Sequence, residues 1–404
     1  MFKTGNFSGD FWGGTAAMLV ALPSAIAFGV TVYATIGGHY GAYGAVAGIL
    51  GVAAVGIVAS LMSGTERLIS APSAPAAAVL SAFALQYLSM DIGPDMLFVM
   101  LMIVALLAGV FQIIFGVIGL GRLIKYMPFP VVSGYLSGVG LYIIAAQSPI
   151  FLGLPQGTHF WDTFTLLNGW QWQSIIVGTI TVVTMVVAAK VFRVIPAVIT
   201  ALLVGVGAYF LLALVDPALY TPNNPFVVGE LGGSGGIDFV QMFVGRFEIL
   251  SHFRWNDMIL LLFPALTLAA LLSIDTLKTC VILDSMTHSF HNSNKELIAQ
   301  GSGNVVSALI GGMPGSGTMG ATMVNLSGGG NSRLSGIIEG ITAVAAFVAL
   351  GSFIAWIPVS ALAGILIVIG FRMIDRHSLK LLRTRQTVLD FFIIIVVAVT
   401  ALSV

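Results

Sequence analysis

Leu68-Ile69-Ser70-Ala71-Pro72-Ser73-Ala74-Pro75-Ala76 and Gly312-Met313-Pro314-Gly315-Ser316-Gly317-Thr318-Met319-Gly320-Ala321-Thr322 are the two stretches that decide the fold. Each opens an otherwise apolar segment with residues that make poor helix interiors. Pro72 and Pro75 lack amide donors and force the residues before them toward extended backbone. Pro314 and the glycines around it play the same part in the second stretch. A short extended piece feeding a half-helix is expected at both places. Extended backbone at membrane depth is tolerated only where it lines a cavity, and two half-helix N-termini aim partial positive charge into that cavity. The pair therefore predicts an anion site. Ser73, Ser316, Thr318 and Thr322 supply hydroxyl donors, and the Ala and Gly positions let an anion approach the backbone amides.

The rest of the chain fits a membrane setting. Of 404 residues, 58% are hydrophobic and 8% charged, where soluble domains carry about 25% charged residues. With a mean hydropathy of +1.03, the apolar content exceeds what one water-soluble core can hide, which excludes a soluble globular enzyme. Sixteen Lys+Arg balance 16 Asp+Glu with no basic run, so there is no electrostatic footprint for nucleic acid. The single cysteine, Cys280, has no internal disulfide partner and reads as a small buried side chain. About thirteen apolar segments approach the ~20 residues that a spanning helix needs. The predicted class is an all-α polytopic membrane protein, with the two interrupted stretches as its third and tenth spans. The first segment, 13 to 36, contains Pro23 and lacks a small-residue cleavage site, so it is expected to be retained as a span.

Orientation follows from the basic residues, which cytoplasmic connections retain. Placing the N-terminus in the cytoplasm puts every Lys and Arg on that side except Arg246 and Arg254. Those two fall in the 216 to 256 connection, the longest polar stretch, with Pro217, Pro222, Pro225 and a Gly-rich run from Gly229 to Gly236. It is expected to lie outside and to divide a first repeat, 1 to 215, from a second, 257 to 404. Seven spans precede it and six follow. The chain ends at Val404 inside or just after an apolar segment, so the last span of a seven-plus-seven plan reads as missing. Two odd-numbered halves of opposite orientation are the inverted-repeat plan of many secondary transporters.

Ionisable residues inside spans are costly enough to be functional candidates. Asp275 stands in Leu271-Leu272-Ser273-Ile274-Asp275-Thr276-Leu277-Lys278-Thr279, and Thr279, four residues on, shares its helix face. A carboxylate and a hydroxyl one turn apart suit a hard cation such as sodium. The carboxylate alone suits a proton carrier, and an Asp275–Lys278 ion pair is the structural alternative. Glu339 and Asp390, near expected cytoplasmic ends, read as pairing or interfacial residues. His288 and His291 lack a third ligand for a metal. Gly315-Ser316-Gly317 lacks the Lys-Ser/Thr continuation of a phosphate loop, and no spaced catalytic set indicates an enzyme.

The chain resembles the SulP group of sulfate-permease-type anion transporters. Ala21-Leu22-Pro23-Ser24-Ala25-Ile26-Ala27-Phe28-Gly29 resembles the first-span motif of that group. Phe111-Gln112 to Gln147, with Phe129-Pro130-Val131-Val132-Ser133-Gly134-Tyr135, resembles its fifth-span signature, and Asn294-Lys295-Glu296-Leu297 with Gln300-Gly301 and Asn304 its ninth-span motif. The resemblance implies gate and core domains, an elevator-like displacement of the core, a homodimer in the plasma or inner membrane, and no cofactor. It implies that Ser24 and Phe28 line the anion pocket, with Ser73 and Ala74 of the third span and Gly317, Thr318 and Met319 of the tenth. In the sodium-dependent bicarbonate branch, Asp275 and Thr279 match sodium ligands, while Met319 stands where that branch has threonine. The expected function is sodium-coupled uptake of a small inorganic anion, bicarbonate or sulfate. Proton-coupled transport of a dicarboxylate or other organic anion, with Asp275 as the carrier, and an uncoupled anion channel are the alternatives. The resemblance also implies a cytoplasmic STAS domain after the last span, which residues 1 to 404 are expected not to include.

Overall fold

The structure, a computed structural model, describes residues 6–37, 40–88, 90, 92–126, 129–155, 158, 160–191, 197–221, 224–229, 245, 258–374 and 388–403. Among the described residues it is helical apart from short turns and one small strand pair. The first-repeat helices are α1 (Phe7–Ala34), α2 (Gly41–Met62), α3 (Ala74–Leu88), α4 (Pro94–Val117), α5 (Phe129–Phe151), α6 (Trp172–Val191) and α7 (Ala197–Ala213). The second-repeat helices are α8 (Met258–Thr287), α9 (Ser293–Leu309), α10 (Met319–Ser327), α11 (Leu334–Ala355), α12 (Val359–Met373) and α13 (Val388–Ser403). By length and composition, α1, α2, α4 and α8 are long and apolar enough to cross a membrane.

Helix α1 starts six residues before the expected 13, and its cap explains why. The Asn6 side chain accepts from the Gly9 amide at 3.1 Å, which satisfies one orphan donor of the first turn. This start brings Asp10 into the helix and buries it. Its carboxylate accepts from the amides of Asn331 at 2.6 Å and Ser332 at 2.9 Å, and from Ser332 Oγ at 2.5 Å. The N-terminus of the first half is thereby tied to the connection before α11.

The two stretches quoted at the outset form β1 (Ser70–Pro72) and β2 (Gly315–Gly317), each followed by a short helix. At 15 and 9 residues, α3 and α10 reach only about 22 and 14 Å, short of a ~30 Å hydrocarbon core. The expected extended pieces are present, and they pair with each other. β1 runs antiparallel to β2 with Ser70 opposite Gly317, Ala71 opposite Ser316 and Pro72 opposite Gly315. Nothing in either stretch alone announces that pairing, because neither carries the alternating pattern of an ordinary strand.

Two compact units form, and each draws on both halves of the chain. One consists of Met1–Ile124 and Val228–Trp356, the other of Lys125–Val227 and Ile357–Val404. Inside the first, α4 packs on α9 as α11 packs on α2, and α1 meets α10 as α8 meets α3. Exchanging the halves maps these pairs onto one another, which is the inverted repeat written in contacts. The α4–α9 contact is close because it is built on glycine: a Cβ at Gly109 would stand 2.8 Å from the Gly301 carbonyl oxygen, and one at Gly301 2.5 Å from that of Gly109. Small residues give the same intimacy between helices in lipid generally. In the second unit α5 packs on α12 and α13, and α6 on α7 and α12. Most of the 216 to 256 connection, including Arg246 and Arg254, lies outside the described residues, as does the side chain of Asp390. Of the connection, Pro217–Leu219 forms a single turn and Val227 bridges to Pro358.

Candidate ion-binding site

The strand pair is held by buried amide side chains on α4 and α9. Asn304 treats Gly315 as a third strand would: its Oδ1 accepts from the Gly315 amide at 2.7 Å and its Nδ2 donates to the Gly315 carbonyl at 2.9 Å. Pro72, opposite Gly315, has no amide hydrogen to offer. The same Nδ2 donates to Gln112 Oε1 at 2.7 Å. On the β1 side, Gln300 Nε2 donates to Ser70 Oγ at 2.6 Å and to Glu296 Oε1 at 3.0 Å. The ladder extends past its ends, with the Thr318 amide donating to the Ile69 carbonyl at 2.8 Å and the Ile69 amide donating to Thr322 Oγ1 at 3.1 Å. Thr322, expected as a free hydroxyl donor, serves as a scaffold acceptor. Gln112, Gln300, Asn304 and Thr322 are fully buried, so these hydrogen bonds are made away from bulk solvent.

Helix α8 brings charge to the cradle. Ser316 Oγ donates to Asp275 Oδ2 at 2.7 Å, and the Gly317 amide donates to Thr276 Oγ1 at 3.0 Å. Lys278 Nζ stands 3.0 Å from Asp275 Oδ1, with side-chain exposures of 27% and 16% for the Lys and Asp. The ion pair is thus present and partly open, well inside a helix that continues to Thr287. Thr279 is buried and donates to the backbone carbonyl of Asp275 at 3.0 Å. Its hydroxyl lies one turn from the carboxylate, as the spacing requires.

The helix N-termini meet the same place. Thr318 is the N-cap of α10 in extended backbone, and its side chain makes no cap hydrogen bond. Met319 is half-buried and Gly320 exposed, with nothing within 4 Å of where a Gly320 Cβ would stand. A side chain at the second position of α10 would therefore be unobstructed. Ser73 accepts at its carbonyl from the Ala77 amide at 3.2 Å, the first bond leading into α3. Its Oγ is buried without a hydrogen-bond partner, and Ala74 beside it is buried. Helix α1, which carries Ser24 and the buried Phe28, packs on β1, α3 and α10. Ser24 Oγ donates back to the Val20 carbonyl at 3.3 Å. One unit thus gathers every residue singled out for the site.

Thr276 and the roles of Gln112, Gln300 and Asn304 are the parts that sequence reasoning missed. Buried amide side chains inside apolar spans are a usable signal, since each is costly in lipid unless partnered. One expectation is overturned. Glu339 is neither paired nor interfacial: it is fully buried, and neither carboxylate oxygen has a hydrogen-bond partner. Its position on the face of α11 turned to α2, beside Gly56, takes it away from solvent.

Comparison with known proteins accords with this geometry. Residues 7–397 match the sulfate permease family. A bicarbonate transporter, BicA, of Picosynechococcus is 35% identical over 386 residues, covering 93% of this chain and 63% of the relative. A putative sulfate transporter of Bacillus subtilis, YvdB, is 25% identical, covering 96% of this chain and 68% of the relative. The chain spans about 63% of the length of the BicA relative. Among solved structures, the transmembrane domain of a cyanobacterial BicA superposes with a TM-score of 0.81 at 31% identity, covering 99% of this chain and 96% of that one. SLC26A9 shares the fold at a TM-score of 0.72 and 17% identity, covering 98% of this chain and 62% of that one. Taken over nearly its whole length, this chain belongs to the sulfate permease family and is an integral membrane protein.

Proposed function

We propose that the chain is the membrane-embedded part of a secondary-active inorganic anion transporter that takes up bicarbonate, or sulfate, together with sodium. The observation that carries this reading is the β1–β2 pair, which sets the starts of α3 and α10 beside Asp275. The N-terminus of α10, where Thr318 makes no side-chain cap bond, suits an oxyanion, and the Asp275 carboxylate, the Thr279 hydroxyl and nearby carbonyl oxygens suit a hard cation. The 35% identity to a bicarbonate transporter makes bicarbonate the leading substrate. Orientation with the N-terminus in the cytoplasm, a homodimer and an elevator-like movement of the site-bearing unit belong to the same reading.

Uptake of labelled bicarbonate and of labelled sulfate into proteoliposomes, with and without an inward sodium gradient, tests it. Sodium-stimulated uptake of one anion is the expected result. Uptake that ignores sodium and follows a pH gradient overturns the sodium assignment and favours Asp275 as a proton carrier. Voltage-following flux with no coupling favours a channel.

Lys278 adds a second expectation. Its ammonium holds the carboxylate oxygen that a sodium ion would neutralise, so the two cations compete. Lys278→Gln should lower the sodium concentration for half-maximal stimulation about fivefold or more, the scale of an ordinary coupling energy of ~1–3 kcal/mol. A sodium titration of uptake in the variant reads this directly, and an unchanged or higher requirement counts against competition.

A further inference from the structure

Two glutamates are fully buried in the same unit, and they are treated in opposite ways. Glu296 accepts from Ser63 Oγ at 2.6 Å, the Gly64 amide at 2.9 Å and Gln300 Nε2 at 3.0 Å, a donor set that suits a carboxylate. Glu339 is equally inaccessible, yet no donor reaches either of its oxygens. It lies in the seam where α11 packs on α2. A Cβ at Gly56 would stand 3.1 Å from Glu339 Oε2 and 3.4 Å from the Gly336 carbonyl oxygen. Glycine at position 56 therefore leaves the room that the carboxyl group occupies. Ser60, one turn further along α2, is also buried with its Oγ unpartnered, and a Cβ at Gly336 would overlap that oxygen. The seam thus holds three unmatched oxygens, two of Glu339 and one of Ser60.

Charged neighbours do not fill the gap. Helix α2 carries no charged residue, and its one tyrosine, Tyr43, stacks near Phe98 at the other end. On α1, Asp10 is committed to Asn331 and Ser332, and Tyr33 lies near the far terminus. Helix α10 has no charged residue. Arg67 bonds to Asn331, Glu66 precedes it in the same connection, and Arg333 caps α11 more than a turn away. On α9, behind α2, Glu296 is satisfied by its own donors and Lys295 is exposed. An ionised carboxylate without a partner in such a place costs far more than the neutral acid, and buried groups of this kind neutralise instead.

We propose that Glu339 is a proton-binding site, separate from the Asp275 cradle, and that its bound proton keeps the α2–α11 seam closed. The seam packs around a neutral carboxyl group, and loss of the proton places an uncompensated charge between two helices in contact. Alkaline pH then loosens the unit from within, independently of whatever occupies the cradle.

The test needs only the folded full chain in lipid. Its glutamates are Glu66, Glu230, Glu248, Glu296 and Glu339, few enough for carboxyl-carbon NMR on glutamate-labelled protein. At about pH 7, one signal should hold the acid-form shift, and that signal should vanish in Glu339→Gln. The melting temperature of the wild type should fall by several degrees between about pH 7 and about pH 9, and E339Q should remove most of that fall. Where E339Q fails to assemble, Gly56→Ala replaces it, since its methyl would crowd Oε2 and should move the acid-form signal. Five ionised signals at about pH 7, an acid-form signal that persists in E339Q, or one unmoved by G56A overturns the proposal. A Glu339 signal that is ionised and shifts with added sodium overturns it in favour of a cation site.

Discussion

Asp275→Asn should abolish sodium stimulation of uptake, bringing the ratio of rates with and without a sodium gradient to about one, while the protein stays folded. Asparagine keeps the volume of the side chain and an oxygen to accept the Ser316 hydroxyl, now 2.7 Å away, so the strand pair keeps its neighbour. What disappears is the charge. Lys278 loses its partner, and a hard cation loses its only formally negative ligand among the site residues singled out. Coupling energies of about 1–3 kcal/mol between ligands correspond to 5–150-fold effects, and all of that effect should vanish in the variant. Parallel uptake assays on wild type, D275N and the double variant D275N/K278Q give the readout. Sodium-stimulated transport surviving in D275N would remove Asp275 from the coupling role.

Gly315→Ala should be the most damaging single-methyl change in the cradle. A Cβ there would overlap the Ala71 carbonyl oxygen, and that oxygen belongs to the facing strand, so no side chain can swing aside to relieve it. Either β1 and β2 separate or Asn304 gives up its two bonds to Gly315. Overpacking of this kind costs about 1–3 kcal/mol, and each hydrogen bond lost adds about 1 kcal/mol. Thermal unfolding in detergent should show a clear loss of stability, together with loss of uptake. Gly320→Ala is the matched control, because nothing lies within 4 Å of its missing Cβ. Equal stability in the two variants would mean that the strand pair does not govern the site.

Pro72, Pro75 and Pro314 made the interrupted helices legible, since a residue with no amide hydrogen leaves its mark on local backbone whatever surrounds it. Asp275 and Thr279 were legible for a related reason: a charge in an apolar run is expensive and invites explanation. The pairing of Ser70–Pro72 with Gly315–Gly317 was not, because it depends on where two remote segments meet and on Asn304, whose value lies in geometry rather than in type. Glu339 was misread for the same reason. Its distance from Arg333 along the chain suggested a helix end, but burial is set by Gly56 on another helix, which no spacing within α11 reveals. Whether the Lys278 ammonium faced the carboxylate or the interface was likewise a matter of side-chain direction.

The strand pair also orders events during synthesis. Residues 70–72 leave the ribosome long before residues 315–317, by roughly 10–50 s at ordinary rates of about 5–20 residues per second. Over that interval the backbone of the early strand has no protein partner, and hydrocarbon offers it none. The nascent first half must therefore keep this segment hydrated, in the insertion machinery or at the lipid headgroups, until its mate arrives. Assembly of the ion cradle is consequently a late event, and a chain halted anywhere before β2 would be inserted in part yet unable to bind.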